Sequence, residues 1–198
     1  MHCFVHGVDR EGVDARLEAL AERHWAYMAG YADQLVARGP TLSADGTHHT
    51  GSVHMLSTRT IQDARRFASE DPYRLANVYA SLTVTRMCPV RDGTMWERPS
   101  PSAHPGSALL LAKWPARPRS QAAEAGEERR MVTTLAKLDL MVFGGLLTSD
   151  DGSHSIGLVA AVDADIARAA ALVAGVGLPG STTSVTSFGW RRGGRPPT

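Results

Sequence analysis

Lysine is nearly missing from this chain, which carries two against nineteen arginines. With 21 basic and 20 acidic residues in 198, the formal charge is only +1. So balanced a chain lacks the electrostatic footprint of a nucleic-acid or polybasic membrane binder. Its two cysteines, Cys3 and Cys88, allow at most one bridge, which excludes a disulfide scaffold and reads as two reduced thiols. No apolar run reaches the roughly 18 residues of a membrane span, and no signal segment precedes the first apolar strand, so a cytoplasmic location is expected. Also missing are a nucleophile elbow, a phosphate-binding Gly-Lys-Ser loop and a dinucleotide fingerprint.

What remains is ordinary globular composition, 43% hydrophobic and 21% charged, in a length that permits one large domain or two of half the size. Charge is spread evenly, but imidazole is not: six of the eight histidines lie before residue 99.

Periodicity divides the first half into strand, helix, two strands, helix and strand. The strand His2–Val8 precedes a helix expected from about Asp14 to Arg38, with Leu17, Leu20, Tyr27, Met28, Tyr31 and Leu35 on its apolar stripe. Gly39-Pro40 is read as its stop. A short strand at Thr41–Ser43, a turn at Asp45-Gly46 and a strand from Gly51 to Leu56 follow. A second helix, capped by Ser57 or Thr58, ends before Asp71-Pro72, and a strand from Val78 to Met87 closes the half. Residues 89–106 have the proline and glycine content of a linker. The second half repeats the order, with a helix expected from about Ser120 to Val142 stopped by Gly144-Gly145. A loose tail is expected at 193–198. At a constant offset of 105 residues, Gly39-Pro40-Thr41-Leu42 falls on Gly144-Gly145-Leu146-Leu147, Ile61 on Ile166 and Phe67 on Leu172. The pattern reads as an internal duplication of a ferredoxin-like βαββαβ unit, over residues 1–88 and 107–192.

Two residues stand out. His24 lies on the apolar stripe of the first helix, where an imidazole is either a satisfied core residue or a placed acid/base. Asp71 stands at a helix-to-loop break beside Pro72, where a plain turn aspartate is the competing reading. His48, His49 and His54 cluster further on, but no metal site is assigned to them. Tyr27, Tyr73, Tyr79 and His54 are candidate pocket residues.

The run His24-Trp25-Ala26-Tyr27-Met28, the Gly39-Pro40 pair, Gly51-Ser52-Val53 and Ser69-Glu70-Asp71-Pro72-Tyr73 together resemble the YCII-related family, over about residues 1–88. The resemblance implies an α+β fold in which two tandem units pack sheet to sheet as an intramolecular dimeric α+β barrel. It also implies that His24 and Asp71 form an active-site pair. At the 105-residue offset the second unit has Arg129 and Val176 in their places, so it lacks the pair, and Arg129 becomes a candidate anion contact. The expectation is an enzyme doing acid/base chemistry on a small organic molecule, of lyase, isomerase or dehydrohalogenase type, with a tailoring step in specialised metabolism as one setting. A non-catalytic ligand-binding or accessory protein and a cofactor-free monooxygenase are the alternatives. No cofactor or metal is expected. The partner is a small-molecule substrate, with neither nucleic acid nor membrane, and the chain is a monomer with an internal pseudo-dimer or a homodimer.

Overall fold

The computed structural model describes residues 1–98, 106–119, 122–138 and 140–195. In chain order the first half holds β1 (His2–Asp9), α1 (Asp14–Ala29), β2 (Leu35–Leu42), β3 (His49–Ser57), α2 (Ile61–Glu70), the single turn α3 (Pro72–Leu75) and β4 (Tyr79–Pro89). The second holds β5 (Ser107–Pro118), α4 (Ala122–Ala136), β6 (Met141–Thr148), β7 (His154–Val162), α5 (Ile166–Ala174) and β8 (Ser184–Trp190). The strands form one closed antiparallel barrel in the order β1-β3-β2-β8-β5-β7-β6-β4. Each half contributes a four-stranded sheet with the same internal order, and β5, β7, α5 and β8 each begin 105 residues after β1, β3, α2 and β4.

The sheets therefore meet edge to edge, at β2–β8 and β4–β6, as well as across the barrel interior. Closure removes the unpaired N–H and C=O rows that two open sheets would expose. Strand alternation then sorts the side chains. Phe4, Val53, Met55 and Met87 from the first half meet Leu109, Leu111, Val159 and Trp190 from the second inside the barrel. Val5 and Leu56 instead face outward, onto Met28 of α1 and Phe67 of α2.

Two expected helices are shorter than their periodicity suggested. α1 stops at Ala29 with Gly30 as its cap, not at Arg38, and α4 stops at Ala136, not at Val142. Leu35 and Val142 lie in strands, because β2 and β6 are needed to pair with β3 and β7 and sheet pairing overrides local helical spacing. Gly39 and Gly145 are thus not helix stops but barrel-seam residues. A Cβ at Gly39 would lie 2.0 Å from the Arg191 carbonyl oxygen, and one at Gly145 would lie 2.4 Å from that of Cys88. Pro40 is tolerated inside β2 because that strand meets β8 only at Thr41 and Leu42.

The first part of the expected linker packs onto the barrel: Met95 is buried in the barrel core and the Trp96 indole donates to the Gly193 carbonyl at 3.1 Å. Pro99, Pro101 and Pro105 lie outside the described residues. Gly193 and Gly194, expected in a loose tail, are bound to β2. The Gly193 N–H donates to the Arg38 carbonyl and Arg38 Nε donates to that of Gly194, both at 2.9 Å. Arg192 anchors the same segment by an ion pair with the buried Asp163. Residues 196–198 lie outside the description. No helix among the described residues is long and apolar enough to cross a membrane.

Candidate active site

Helix α1 buries Leu17, His24 and Met28, which lie on one face, so His24 is carried down onto the outside of the sheet. Across from it, the chain breaks between α2 and α3 at Asp71. Asp71 is the N-cap of α3, accepting the Tyr73 N–H at 2.9 Å, with Pro72 in the first turn, where a missing N–H does no harm. The turn reading was therefore sound but incomplete, since the same carboxylate oxygen lies 2.9 Å from His24 Nδ1. Its other oxygen accepts from the Tyr79 hydroxyl at 3.2 Å. The Tyr79 ring reaches this position by crossing Gly7 of β1, where a Cβ would sit 2.7 Å from it.

Both dyad members are buried. Burial pushes the Asp71 carboxyl upward, but the His24 hydrogen bond and charge, helped by His54 and the Tyr73 N–H, outweigh it and hold it below the usual carboxylate range. Asp71 is thus an anion at neutral pH, and assigning the bridging proton to His24 Nδ1 fixes the imidazole tautomer. Among the described residues His24 Nε2 has no protein partner and is not one of the sealed polar atoms, so it is left to the solvent side. Tyr73 stacks on the imidazole with ring centroids 4.1 Å apart and planes within 11°. Its hydroxyl donates to the Leu17 carbonyl, and burial raises it to about 12.

His24 faces a cavity of about 420 Å³ between α1, the outer side of β2 and β3, and residues 191–194. This is within the usual size of small-molecule sites. Tyr73, Ser52 and His54 form its inner wall, and Trp25, 60% exposed, stands at its rim. The His54 ring lies 5.9 Å from that of His24. Desolvation, reinforced by the charge of His24, pushes His54 down to about 3, so it is neutral at physiological pH. A second histidine–carboxylate pair meets the same cavity. His49 lines it, and its Nδ1 is 2.5 Å from Oδ2 of Asp9, whose side chain is buried.

The other expected site residues divide. His54 and Tyr73 line the cavity. Tyr79 stands behind Asp71, to which its hydroxyl donates. Tyr27 does not line the cavity: its hydroxyl donates to the Phe67 carbonyl at 2.9 Å, which ties α1 to α2. Arg129 is exposed on α4 and is not a cavity residue. The fixed 105-residue offset misplaced it, because α1 and α4 end 107 residues apart, at Ala29 and Ala136. Aligned by those ends, Met131 takes the place of His24, and it packs with Val176 in the apolar core of the second half. An apolar pair therefore occupies the positions of the dyad.

Sequence reading did not assign Asp9, Arg38 or Arg191–Gly194 to the site, and it noted His49 only within the His48, His49 and His54 cluster. No local signal marks them, since Asp9 and His49 are 40 residues apart and Arg38 meets the end of the chain. Among the described residues no group of three or more His, Cys, Asp or Glu side chains is placed to hold a metal ion.

Comparison with known structures bears out the fold. The chain is similar to a variant of chlorite dismutase from Candidatus Nitrospira defluvii, with a TM-score of 0.61, 8% identity, and 98% of this chain and 91% of that one covered. It is also similar to an anthrone oxidase-like protein, with a TM-score of 0.52, 10% identity, and coverage of 98% and 92%. A further similar structure is 5-chloro-2-hydroxyhydroquinone dehydrochlorinase from Burkholderia phenoliruptrix AC1100, at 26% identity and a TM-score of 0.41, covering 43% of this chain and 92% of that one. At these identities the likeness is one of fold, an α+β barrel. No curated protein matches the chain. Residues 1–88, the half that holds His24 and Asp71, match the family model of the YCII-related domain.

Proposed function

We propose that the protein is an acid/base enzyme that moves a proton at carbon on a small organic substrate, with His24 as the catalytic base and Asp71 as the residue that positions it. One observation carries this reading: His24 Nδ1 is tied to a buried carboxylate while the imidazole itself lines a cavity of small-molecule size. Nε2 takes a proton from the substrate carbon, and the electron pair left behind forms a new double bond. The step is completed by loss of a leaving group, as in elimination or dehydrohalogenation, or by return of the proton to a second carbon, as in isomerisation. Asp71 stabilises the imidazolium that forms and holds the ring in one tautomer. Tyr73 keeps the ring plane fixed from the opposite side. The second half completes the barrel and supplies residues 191–194 to the cavity wall, with no pair of its own.

The test is solvent exchange. The protein is incubated in D2O with a panel of carbon acids (2-oxo acids, cyclic 1,3-diketones and halogenated hydroxyquinols), and loss of C–H signal is followed by proton NMR. Exchange is expected to fall at least about 100-fold in His24→Gln, with an unchanged circular dichroism spectrum. Exchange that survives in His24→Gln, or a wild-type protein inert to the whole panel, sinks the reading.

A further inference from the structure

Building on that reading of the cavity, we infer that its substrate is a small organic anion whose carboxylate or phenolate oxygen is held by Arg38. The cavity wall carries charge of one sign. Arg38, Arg191 and Arg192 line it together with three histidines, and among the described residues no aspartate or glutamate does. The nearby carboxylates, Asp71 and Asp9, stand behind His24 and His49 and are engaged by them.

The three arginines are not equivalent. Arg192 is committed to Asp163 and to the carbonyls of Met95 and Arg98, so it fastens the chain end. Arg191 is exposed at the cavity mouth. Arg38 is half-buried and gives its Nε proton to the Gly194 carbonyl, while its two terminal nitrogens have no protein acceptor among the described residues. Burial lowers the pKa of this guanidinium, as it does for a cation that has lost water without gaining a counter-ion. An anion in the cavity supplies that counter-ion.

Position supports the same conclusion. Arg38 is the register partner of His54 across β2 and β3, so both side chains leave the sheet on the same face. The His54 ring is in turn beside His24. Arg38 thus shares a face of the sheet with His54, whose neutral imidazole lies beside that of His24. A guanidinium with two free nitrogens matches a carboxylate or phenolate edge in geometry and charge. It also stabilises the negative charge that builds on the substrate as its proton leaves.

The experiment is a ligand titration followed by the ring resonances of His24 and His54, with benzoate, 4-nitrophenolate and neutral benzamide as probes. Benzoate or 4-nitrophenolate is expected to shift these resonances saturably, and whichever binds tighter identifies the oxyanion. Benzamide is expected to bind at least about tenfold more weakly. Arg38→Gln is expected to weaken the anion by a similar factor and leave benzamide unchanged, while Arg38→Lys retains part of the affinity. His24→Gln is expected to keep anion binding, followed there by His54 alone, which separates this inference from the catalytic reading. Equal binding of benzoate and benzamide, full anion affinity in Arg38→Gln, or no saturable shift with any probe overturns it.

Discussion

Replacing Asp71 in two ways separates the work of its charge from the work of its oxygens. The side chain is buried and accepts from His24 Nδ1, the Tyr73 N–H and the Tyr79 hydroxyl. In Asp71→Asn the amide oxygen still faces His24 and Tyr73, and the amide N–H turns to the Tyr79 oxygen, so only the charge assistance is lost. That difference is worth about 1–1.5 kcal/mol, which lowers the melting temperature of a chain this size by about 2–6 °C. In Asp71→Ala three donors lose their acceptor, each at about 1–3 kcal/mol, and water entering the vacated space offsets part of the total. A loss of about 3–6 kcal/mol, or more than about 6 °C, is expected. Thermal unfolding followed by circular dichroism at pH 7.5 measures both. The gap between wild type and Asp71→Asn should also close in acid. The native carboxyl lies below its unfolded value of about 3.9, so its contribution is complete above that pH and disappears as pH falls through the lower native value. The nitrogen-15 spectrum of the His24 ring adds an independent check, because Asp71→Ala should release the fixed tautomer and Asp71→Asn should not. If Asp71→Ala is no less stable than Asp71→Asn and leaves the ring spectrum unchanged, the three-donor account is wrong.

Stability should also fall on mild acidification for a separate reason. Burial holds His54 down to about 3 and His6, whose Nε2 has no partner inside the barrel, down to about 4. Below about pH 6.5 the unfolded chain binds protons at both positions that the native state refuses, so stability decreases as pH falls from there through the native values. At pH 5.0 each residue contributes a loss of about 2 kcal/mol relative to pH 7.5, measurable by urea unfolding, and His6→Leu should halve the difference. An unfolding free energy that is flat over this range contradicts the burial of both rings. At the barrel seam, Gly145→Ala places a methyl group against the Cys88 carbonyl oxygen, and a destabilisation of at least about 1–3 kcal/mol is expected from the forced separation of β4 and β6. A neutral Gly145→Ala would show that this seam is not closed in solution.

The order of elements was legible in the sequence because each depends on local spacing. The alternation in β1, the buried positions of α1 and the Asp-Pro break before α3 all act within a few residues. The 105-residue repeat was legible for the same reason, since strand starts are marked by local turns. Helix lengths were not. Leu35 continues the helical stripe of α1 and is still drawn into β2, where it pairs with Leu56. Gly39 and Gly145 looked like helix stops because glycine breaks helices, but their role is to let a backbone from the other half of the chain approach.

The candidate site divides along the same line. Sequence alone singled out His24, from its place on an apolar face, and Asp71, from its place before a proline, each with a competing reading left open. Only the tertiary structure decided that these residues, 47 apart, share a hydrogen bond, and that Tyr79 completes the carboxylate's partners. It alone paired Asp9 with His49, put Arg38, Arg191 and Arg192 rather than Arg129 along the cavity, and brought Gly193 and Gly194 across to β2. The physical reason is that hydrophobic periodicity is written in near neighbours, whereas a buried polar network is satisfied by whatever groups barrel closure brings within about 3 Å.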